Sequence, residues 1–524
     1  MASSISDVIS RNLAALRKPG VLAVRPGYEM KDDWFTGREA IVAIVAHKLA
    51  DVPADERLPD ELEGIPVDVR QASPLKRLAI EHPSAYASQL RLSPDVGSVP
   101  HFPDEVPLVA ATPGSPSAHA ELARIPKPQL DYTGPAGIAL QPVTGPMTVR
   151  LSVSPDSGWA VLHDFLGATT QALTVGMYDF TSGHVKDAVA AAAAGKPLTL
   201  TLDHPPQNVT ADQTDATTVA DLRTTLGDGL TEAWALTRVS PDSTAWIFPT
   251  SYHIKVAVQD GVRFWLSSGN WNNSNQPAID PVAGGPGSND AEEARHRDRD
   301  WHVVIGEAVL ANQFEQYLRN DLAVAAAHNV PPEQAGPPLT PPPVPTTKTP
   351  AYTQFFAAQT IEGTMTVAPL LTPDPGVYAG AVKQLIDSAT ASLYLQFQYI
   401  QLPRTLDASS QGFVALVDAV IAKVQAGLDV RIILGQHETA GYLEQLIAHG
   451  LDVKTTTRIQ NNVHNKGIVV DSSAVLVSSQ NWSMDGTLYN RDAGVIIHEP
   501  RAAQYFEAVF LHDWANLARA KQPA

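Results

Sequence analysis

Two stretches of this 524-residue chain carry the same side-chain pattern, and a pattern repeated in such detail commits the two halves to the same local structure. The first runs His253-Ile254-Lys255, then Asp260, then Ser267-Ser268-Gly269-Asn270. The second runs His464-Asn465-Lys466, then Asp471, then Ser478-Ser479-Gln480-Asn481. In each, four residues separate Lys from Asp, six separate Asp from the first Ser, and Trp271 or Trp482 follows the Asn. The likeness extends outward, since Gly145-Pro146-Met147-Thr148-Val149 matches Gly363-Thr364-Met365-Thr366-Val367, and Ser154-Pro155-Asp156 matches Thr372-Pro373-Asp374. Each is followed by a helical segment (159–168, 378–388) and a strand (172–178, 392–397), and later by a second helix and strand ending at 198–202 and 430–434. Strands alternating with helices predict an α/β lobe with a largely parallel sheet.

The motif regions read as β-hairpins. Val256 and Val258 alternate with other residues, Asp260-Gly261 signals a two-residue turn, and Phe264 and Leu266 resume the alternation. Val469-Val470, a turn at Asp471-Ser472-Ser473 and Val475 to Val477 repeat this. Residues two apart on a strand share a face, which places His253 beside Lys255 and His464 beside Lys466. Asn270 and Asn481 fall just beyond the returning strands.

Proline marks the divisions. Residues 1–95 read as a small α+β module, with strands at 21–24, 40–45 and 65–69 and a helix at 5–16, but no catalytic spacing. Residues 96–144, with Pro113-Gly114-Ser115-Pro116, read as a Pro/Ser/Gly-rich connection. A first lobe at 145–329 and a second at 351–524 flank a linker at 330–350 that contains Pro331-Pro332, Pro337-Pro338 and Pro341-Pro342-Pro343. With both motifs in one chain, the expected state is a monomer whose lobes pack about a pseudo-two-fold axis, each supplying half a site.

Two imidazoles, two ammonium groups and two amides suit a phosphodiester. Lys255 and Lys466 can neutralise charge developing on the phosphoryl oxygens, and Asn270 and Asn481 can donate to the same oxygens. One His can attack phosphorus to form a phosphohistidine while the other protonates the leaving oxygen and then activates the acceptor. An ordinary imidazole pKa of about 6.5 suits both roles. The chemistry requires neither metal nor cofactor.

This is the H-x-K-x4-D-x6-G/S-S-x-N pattern, and over roughly residues 140–520 the chain resembles the phospholipase D superfamily, in particular bacterial phospholipases D. The resemblance implies two phospholipase D-like α/β/α lobes with mixed, largely parallel sheets. It implies His253 as nucleophile and His464 as acid/base, the sequence itself being nearly symmetric. It further implies that a later carboxylate orients each His. Asp300 and Asp492, which precede matching strands, take that role, with Asp298 as alternative to Asp300. Asp260 and Asp471 are expected to brace their hairpins, with Ser268 and Ser479 as structural residues of the motif, while the small Ser267 and Ser478, where the family often has Gly, allow close phosphate approach. The implied reaction is cleavage of a glycerophospholipid, at a membrane or micelle surface, to phosphatidic acid and a head-group alcohol, with transfer to other alcohols. A nucleic-acid phosphodiesterase or a cardiolipin-synthase-like phosphatidyl transferase are the alternatives, and a scaffold without chemistry is a third.

Composition decides among these only in part. A net charge of −18 is the opposite of the basic footprint that nucleic-acid binding requires, so nucleic acid is the weaker partner. The absence of cysteine removes disulfides, thiolate metal sites and cysteine nucleophiles. Residues 1–30 lack the pattern of a Sec signal, and no apolar run reaches the ~20 residues that span a bilayer, which argues against the synthase alternative. The expectation is a soluble protein, cytoplasmic or exported by a signal-independent route. Among other features, His437-Glu438 lacks the second His of a zinc-protease helix, and His204 reads as a turn residue. Arg295-His296-Arg297 beside Glu292-Glu293 reads as a solvated charged loop. Trp271 and Trp482 read as packing residues, while Tyr178 and Gln398 lie where they could reach the cleft.

Overall fold

A computed structural model describes residues 4–31, 34–48, 52–82, 86, 99–100, 102–109, 132–203, 212–240, 243–246, 248, 251–327, 349–373, 377–403, 406–436 and 440–519. The proline-rich runs at 113–116 and 331–345, as well as His204, Asp374 and His437-Glu438, lie outside the described residues. The chain divides into two compact units, Met1–Lys127 with Ala440–His449 and Ala520–Ala524, and Pro128–Thr439 with Gly450–Arg519.

In the first unit the strands Glu61–Leu62, Ile65–Gln71, Trp34–Val45, Val21–Lys31 and Val106–Pro107 form one sheet in that order. Helix Ile5–Arg11 starts in a capping box made by Ser4 and Asp7 and buries Val8 and Ile9 against Val24 and Ile41. Helix Ala440–His449 belongs to this unit although the sequence places it inside the second lobe. Its Glu444 carboxylate is buried between Arg25 and Arg70, 3.1 Å from the latter, and accepts the Tyr28 N–H at 3.1 Å.

The second unit is built on a single 14-stranded sheet. From one edge to the centre the second-lobe strands are Thr457–Gln460, Asp429–Gly435, Ser392–Phe397, Lys466–Val470, Ala474–Ser478, Ala493–His498 and Gln359–Leu371. From the centre outward the first-lobe strands are Val143–Ser154, Asp300–Gly306, Arg263–Ser267, Lys255–Gln259, Leu173–Met177, Leu198–Leu202 and Leu230–Trp234. The order is a palindrome, so each strand has its repeat partner at the same distance from the middle. The two central strands pair antiparallel, with Pro146 opposite Thr364, Gly145 opposite Met365, and Met147 opposite Gly363. Pro146 and Thr364 are repeat equivalents that face each other, and their neighbours exchange partners reciprocally. The pseudo-two-fold axis therefore passes between these two residues.

Parallel pairing is confined to the outer three strands of each lobe, and all other neighbours are antiparallel. The sheet is mixed, but the expectation of a largely parallel one is corrected. The motif hairpin of each lobe inserts antiparallel strands between the βαβ part and the centre, and a hairpin can pair in no other way. The sheet also doubles back on itself, bringing Asp300–Gly306 against Lys466–Val470 and Ala474–Ser478 from the opposite lobe. Residues of both lobes, among them Val149, Val303, Val475 and Ile497, share one buried core. A Cβ on Gly467 would lie 2.3 Å from the Trp301 ring, so that close approach requires glycine.

The hairpins are as expected except that the first, like the second, turns through three residues. Gln259 pairs with Arg263 and Val470 with Ala474, and Asp260, Gly261, Asp471 and Ser472 adopt positive φ. The Asp260 carboxylate accepts the backbone N–H groups of Thr170, Gln171 and Ala172 as well as the Thr170 hydroxyl. Asp471 does the same with Thr390, Ala391 and Ser392. Each carboxylate thus clasps the loop entering the neighbouring strand, away from the His and Lys.

Partial burial pushes the Asp260 carboxyl up, but the bonds from Thr170, Ala172 and Gln171 outweigh it and the net shift is downward. Its contribution to stability is present above the ordinary carboxylate range and is lost as pH falls through the depressed folded value. Asp260→Asn should therefore lower stability by about 1–3 kcal/mol near neutral pH, and its stability should depend less on acid than the wild type's. Equal acid denaturation profiles for the two proteins would contradict the clasp.

Candidate active site

The two His residues sit immediately before the strands that Lys255 and Lys466 open. Because each hairpin's first strand runs antiparallel to the neighbouring βαβ strand, His253 and His464 lie at the carboxyl ends of Leu173–Met177 and Ser392–Phe397. Ligands of open α/β sheets gather at that edge.

The structure joins the lobes through these residues. His253 Nδ1 is 2.8 Å from Asp492 Oδ1, and His464 Nδ1 is 3.1 Å from Asp300 Oδ1. Each imidazole thus takes its carboxylate from the opposite lobe. Asp300, rather than Asp298, contacts His464. Asp298 stands one step back, where Asn275 Nδ2 donates to both Asp298, at 3.0 Å, and Asp300, at 2.9 Å. The motif serines hold the carboxylates: Ser268 Oγ donates to Asp300 at 2.7 Å and Ser479 Oγ to Asp492 at 2.5 Å. Each serine also accepts the N–H of the residue after its Asp.

Lys255 is buried and donates to the His253 carbonyl at 2.6 Å. Lys466, also buried, bonds the His464 carbonyl and reaches across to the Ser268 carbonyl at 3.3 Å. Asn270 and Asn481 are buried, and the oxygen of each side-chain amide has no hydrogen-bond partner among the described residues. An amide left incomplete in this way is suited to a polar ligand, with its oxygen and nitrogen interchangeable by a flip.

The two halves differ in their electrostatics. Burial pushes Asp300 up, but the His464 charge, its hydrogen bond and Lys466 prevail and bring it to about 2. Burial raises Asp492 to about 7 against the pull of Lys255, the Ser479 hydroxyl and Lys466. Burial and then Lys466 lower His464, partly countered by Asp300. Tyr178, at the end of Leu173–Met177, packs edge-on to His253 with ring centroids 4.7 Å apart, and the Lys255 ammonium lies 5.0 Å from its ring. Trp271 and Trp482 are packed, against Phe180 and Phe397 respectively. Arg295 and Arg297 pair with Glu292 and Glu293, and the four lie on the short helix Asn289–Ala294 and at its C-terminal end rather than in the expected loop.

Two groups of site residues escaped the sequence reading. The first is a relay in the first lobe. Ser154 Oγ donates to the Asn275 carbonyl at 2.5 Å, so it accepts from His302 Nε2 at 2.8 Å. Ser267 Oγ accepts the Gly269 N–H at 2.8 Å and donates to His302 Nδ1 at 2.7 Å. This pattern requires neutral His302, and burial lowers its pKa to about 4. Asn275 in turn accepts the Asn270 N–H at 3.0 Å, which ties the relay to the motif. The second group is Arg299 and Arg491, adjacent to the two carboxylates and fully buried. Their signal was in the repeat, since both Arg residues precede the matched Asp residues and Asp321 and Asp513 follow at equal spacing.

Residues 382–514 match the family model described as cardiolipin synthase, PLD-like domain. No curated protein matches the chain. Among solved structures, phosphatidylserine synthase of Haemophilus influenzae Rd KW20 is 15% identical, with 71% of this chain and 87% of that chain covered and a TM-score of 0.45. The phospholipase D family member Nuc of Salmonella typhimurium is 23% identical over 29% of this chain and 95% of that one, with a TM-score of 0.24. Polyphosphate kinase of Porphyromonas gingivalis is 10% identical over 69% and 50%, with a TM-score of 0.39. The matched segment 382–514 holds His464, Lys466, Asn481 and Asp492, and the first lobe repeats that segment's strand order and its His, Lys, Asn and Asp. The second lobe therefore carries a PLD-like domain, and the first lobe is its repeat.

Proposed function

We propose that this protein is a phosphatidyl-transferring enzyme, which breaks the distal phosphodiester of a phospholipid through a phosphohistidine and hands the phosphatidyl group to an alcohol, with water as the competing acceptor. The observation that carries this reading is the pair of His–Asp couples, each made by two lobes at one buried site. Hydrolysis to phosphatidic acid, the activity first implied by the motif, becomes the side reaction. The second-lobe match to a domain described as cardiolipin synthase supports transfer. So does burial, since a phosphohistidine kept from bulk water survives to meet a second alcohol. Among the described residues no helix is long and apolar enough to cross a membrane, and the lipid would be reached at a bilayer or micelle surface.

In this mechanism His253 Nδ1–H donates to Asp492, leaving Nε2 free to attack phosphorus. As the N–P bond forms, the P–O bond to the head group breaks, and the departing oxygen takes its electron pair and a proton from His464. The acceptor alcohol then gives its proton to His464 as its oxygen attacks phosphorus and the N–P bond breaks. Lys255, Lys466, Asn270 and Asn481 bind the non-bridging oxygens, whose charge grows in the transition state. The order of the two histidines follows the family resemblance.

Incubation with phosphatidylcholine, ethanol and chelator should yield phosphatidylethanol, and His253→Ala should reduce the rate by about 10⁴-fold or more. Cleavage of single- or double-stranded DNA without any lipid product would overturn the lipid reading.

Asp492 adds a pH signature. The carboxylate must be ionised to accept the His253 Nδ1–H, so kcat/KM should rise with pH through about 7. Because this folded value lies above the unfolded one, the proton on Asp492 favours the fold at low pH, a contribution lost as pH rises to about 7. Asp492→Asn should run about 10⁴-fold slower and lose the limb, whereas Asp300, at about 2, should contribute none in that range. A wild-type profile flat from about pH 5.5 to 8.5 would contradict this assignment.

A further inference from the structure

Each carboxylate that meets a histidine is preceded by an arginine that also crosses between lobes. Arg299 donates from Nε and Nη2 to both oxygens of Asp513, at 2.9 and 3.1 Å, on the last helix of the second lobe, Pro500–Asn516. Its Nη1 donates to Asp156 at 2.7 Å and to the Ser154 carbonyl at 2.8 Å. Arg491 grips Asp321 in the same fork, at 2.9 and 2.7 Å, on the last helix of the first lobe, Ala308–Ala327. Its remaining donors reach the Thr372 carbonyl, at 3.0 Å, and the Tyr132 hydroxyl. Both guanidiniums and all three carboxylates are fully buried or nearly so.

The main chain of the same residues makes the same crossing. The Arg299 N–H donates to the Asn462 carbonyl at 2.7 Å, and the His464 N–H donates back to the Arg299 carbonyl at 3.1 Å. The Arg491 N–H donates to the Ser251 carbonyl at 2.8 Å, two residues before His253. A dipeptide of one lobe is therefore seated in the other at three points: the last helix, the segment leading to the histidine, and the imidazole. Arginine and aspartate project to different sides of the backbone, so fixing the guanidinium fixes the place from which the carboxylate reaches.

Resting on the reading of the site given above, we propose that Arg299 and Arg491 are positioning residues, each clamped by the other lobe's last helix so that the adjacent carboxylate meets that lobe's histidine. Arg491 and Asp321 serve the Asp492–His253 couple, and Arg299 and Asp513 serve the Asp300–His464 couple. Because the couples have different jobs, the clamps are chemically separable. A lysine cannot reproduce the two-pronged grip, although it keeps the charge.

The test uses Arg299→Lys and Arg491→Lys in the full chain, with Asp513→Asn and Asp321→Asn as second variants that loosen each clamp from the helix side. Two probes are compared: phosphatidylcholine, whose choline leaving group needs a proton, and bis(p-nitrophenyl) phosphate, whose p-nitrophenolate does not. All four variants should lose about 10²-fold in kcat on phosphatidylcholine, with KM little changed. First-turnover release of p-nitrophenolate should stay within about threefold of wild type in the Arg299 and Asp513 variants, because general acid catalysis is what they lose. It should fall about 10²-fold in the Arg491 and Asp321 variants, where attack itself is misaligned.

Equal loss on both probes in all four variants, tracking a common loss of folded protein by thermal melt, would reduce the clamps to ordinary structural pairs and overturn the proposal. Full activity in the folded variants would overturn it as well. Failure of the wild type to turn over either probe would instead strike the functional reading, so the two failures are distinguishable.

Discussion

The antiparallel pairing of Val143–Ser154 with Gln359–Leu371 is the constraint on which the rest of the second unit depends. It closes two seven-stranded lobes into one sheet and places the pseudo-two-fold axis between Pro146 and Thr364. A two-fold axis makes every contact that leaves one lobe return from the other. The strands next to this central pair, Asp300–Gly306 and Ala493–His498, are those whose approaches carry the Arg–Asp dipeptides. The crossing of both dipeptides is thus one structural event expressed twice, and a complete site exists only with both lobes in place.

That arrangement buries charge on a scale that stability alone does not explain. Arg299, Asp156 and Asp513 have no exposed side-chain surface, nor do Arg491 and Asp321. Removing such ions from water costs several kcal/mol each, and well-packed apolar residues often do as well or better. What apolar residues would not supply is direction. Two parallel N–H···O bonds between planar groups allow one orientation, and the residue that must be oriented is the next one along. Unequal packing helps to keep the register: Trp301 requires Gly467 beneath it, while the equivalent of Trp301 is Ala493 and that of Gly467 is Val256.

Much of this was legible in the chain. Hairpins announce themselves through period-two alternation and turn residues, and both were found, as were the helices and strands of the repeat, because these depend on neighbours in sequence. The matching places of Asp300 and Asp492 are legible in the duplication, and the part expected of them comes from the resemblance. The exchange of carboxylates between lobes is not legible, because no local periodicity records which of two equivalent histidines a distant carboxylate meets. The strand directions were misjudged for a related reason: helix–strand alternation reports the βαβ part of each lobe, whereas the hairpins contribute most of the remaining pairings. The capture of Ala440–His449 by the first unit depends on Glu444 meeting Arg25, 419 residues away, and on Arg70. Neither arginine has any local mark.

The departures from symmetry matter most for the chemistry. Phosphoryl transfer needs one imidazole to attack and another to carry a proton, so a site made of two identical halves would have to break its own equivalence on binding substrate. Here the sequence breaks it in advance. Tyr178 stands where the second lobe has Gln398, Ile254 where it has Asn465, Asp298 where it has Asn490, and His302 where it has Gly494. The His302 relay and the Asp298–Asn275 pair both lie behind Asp300, which is held ionised at about 2, whereas Asp492 keeps its proton up to about 7. Environments that push equivalent groups apart are how one fold assigns acid and base. Duplication provided two of each group; the residues that differ between the lobes give them unequal environments.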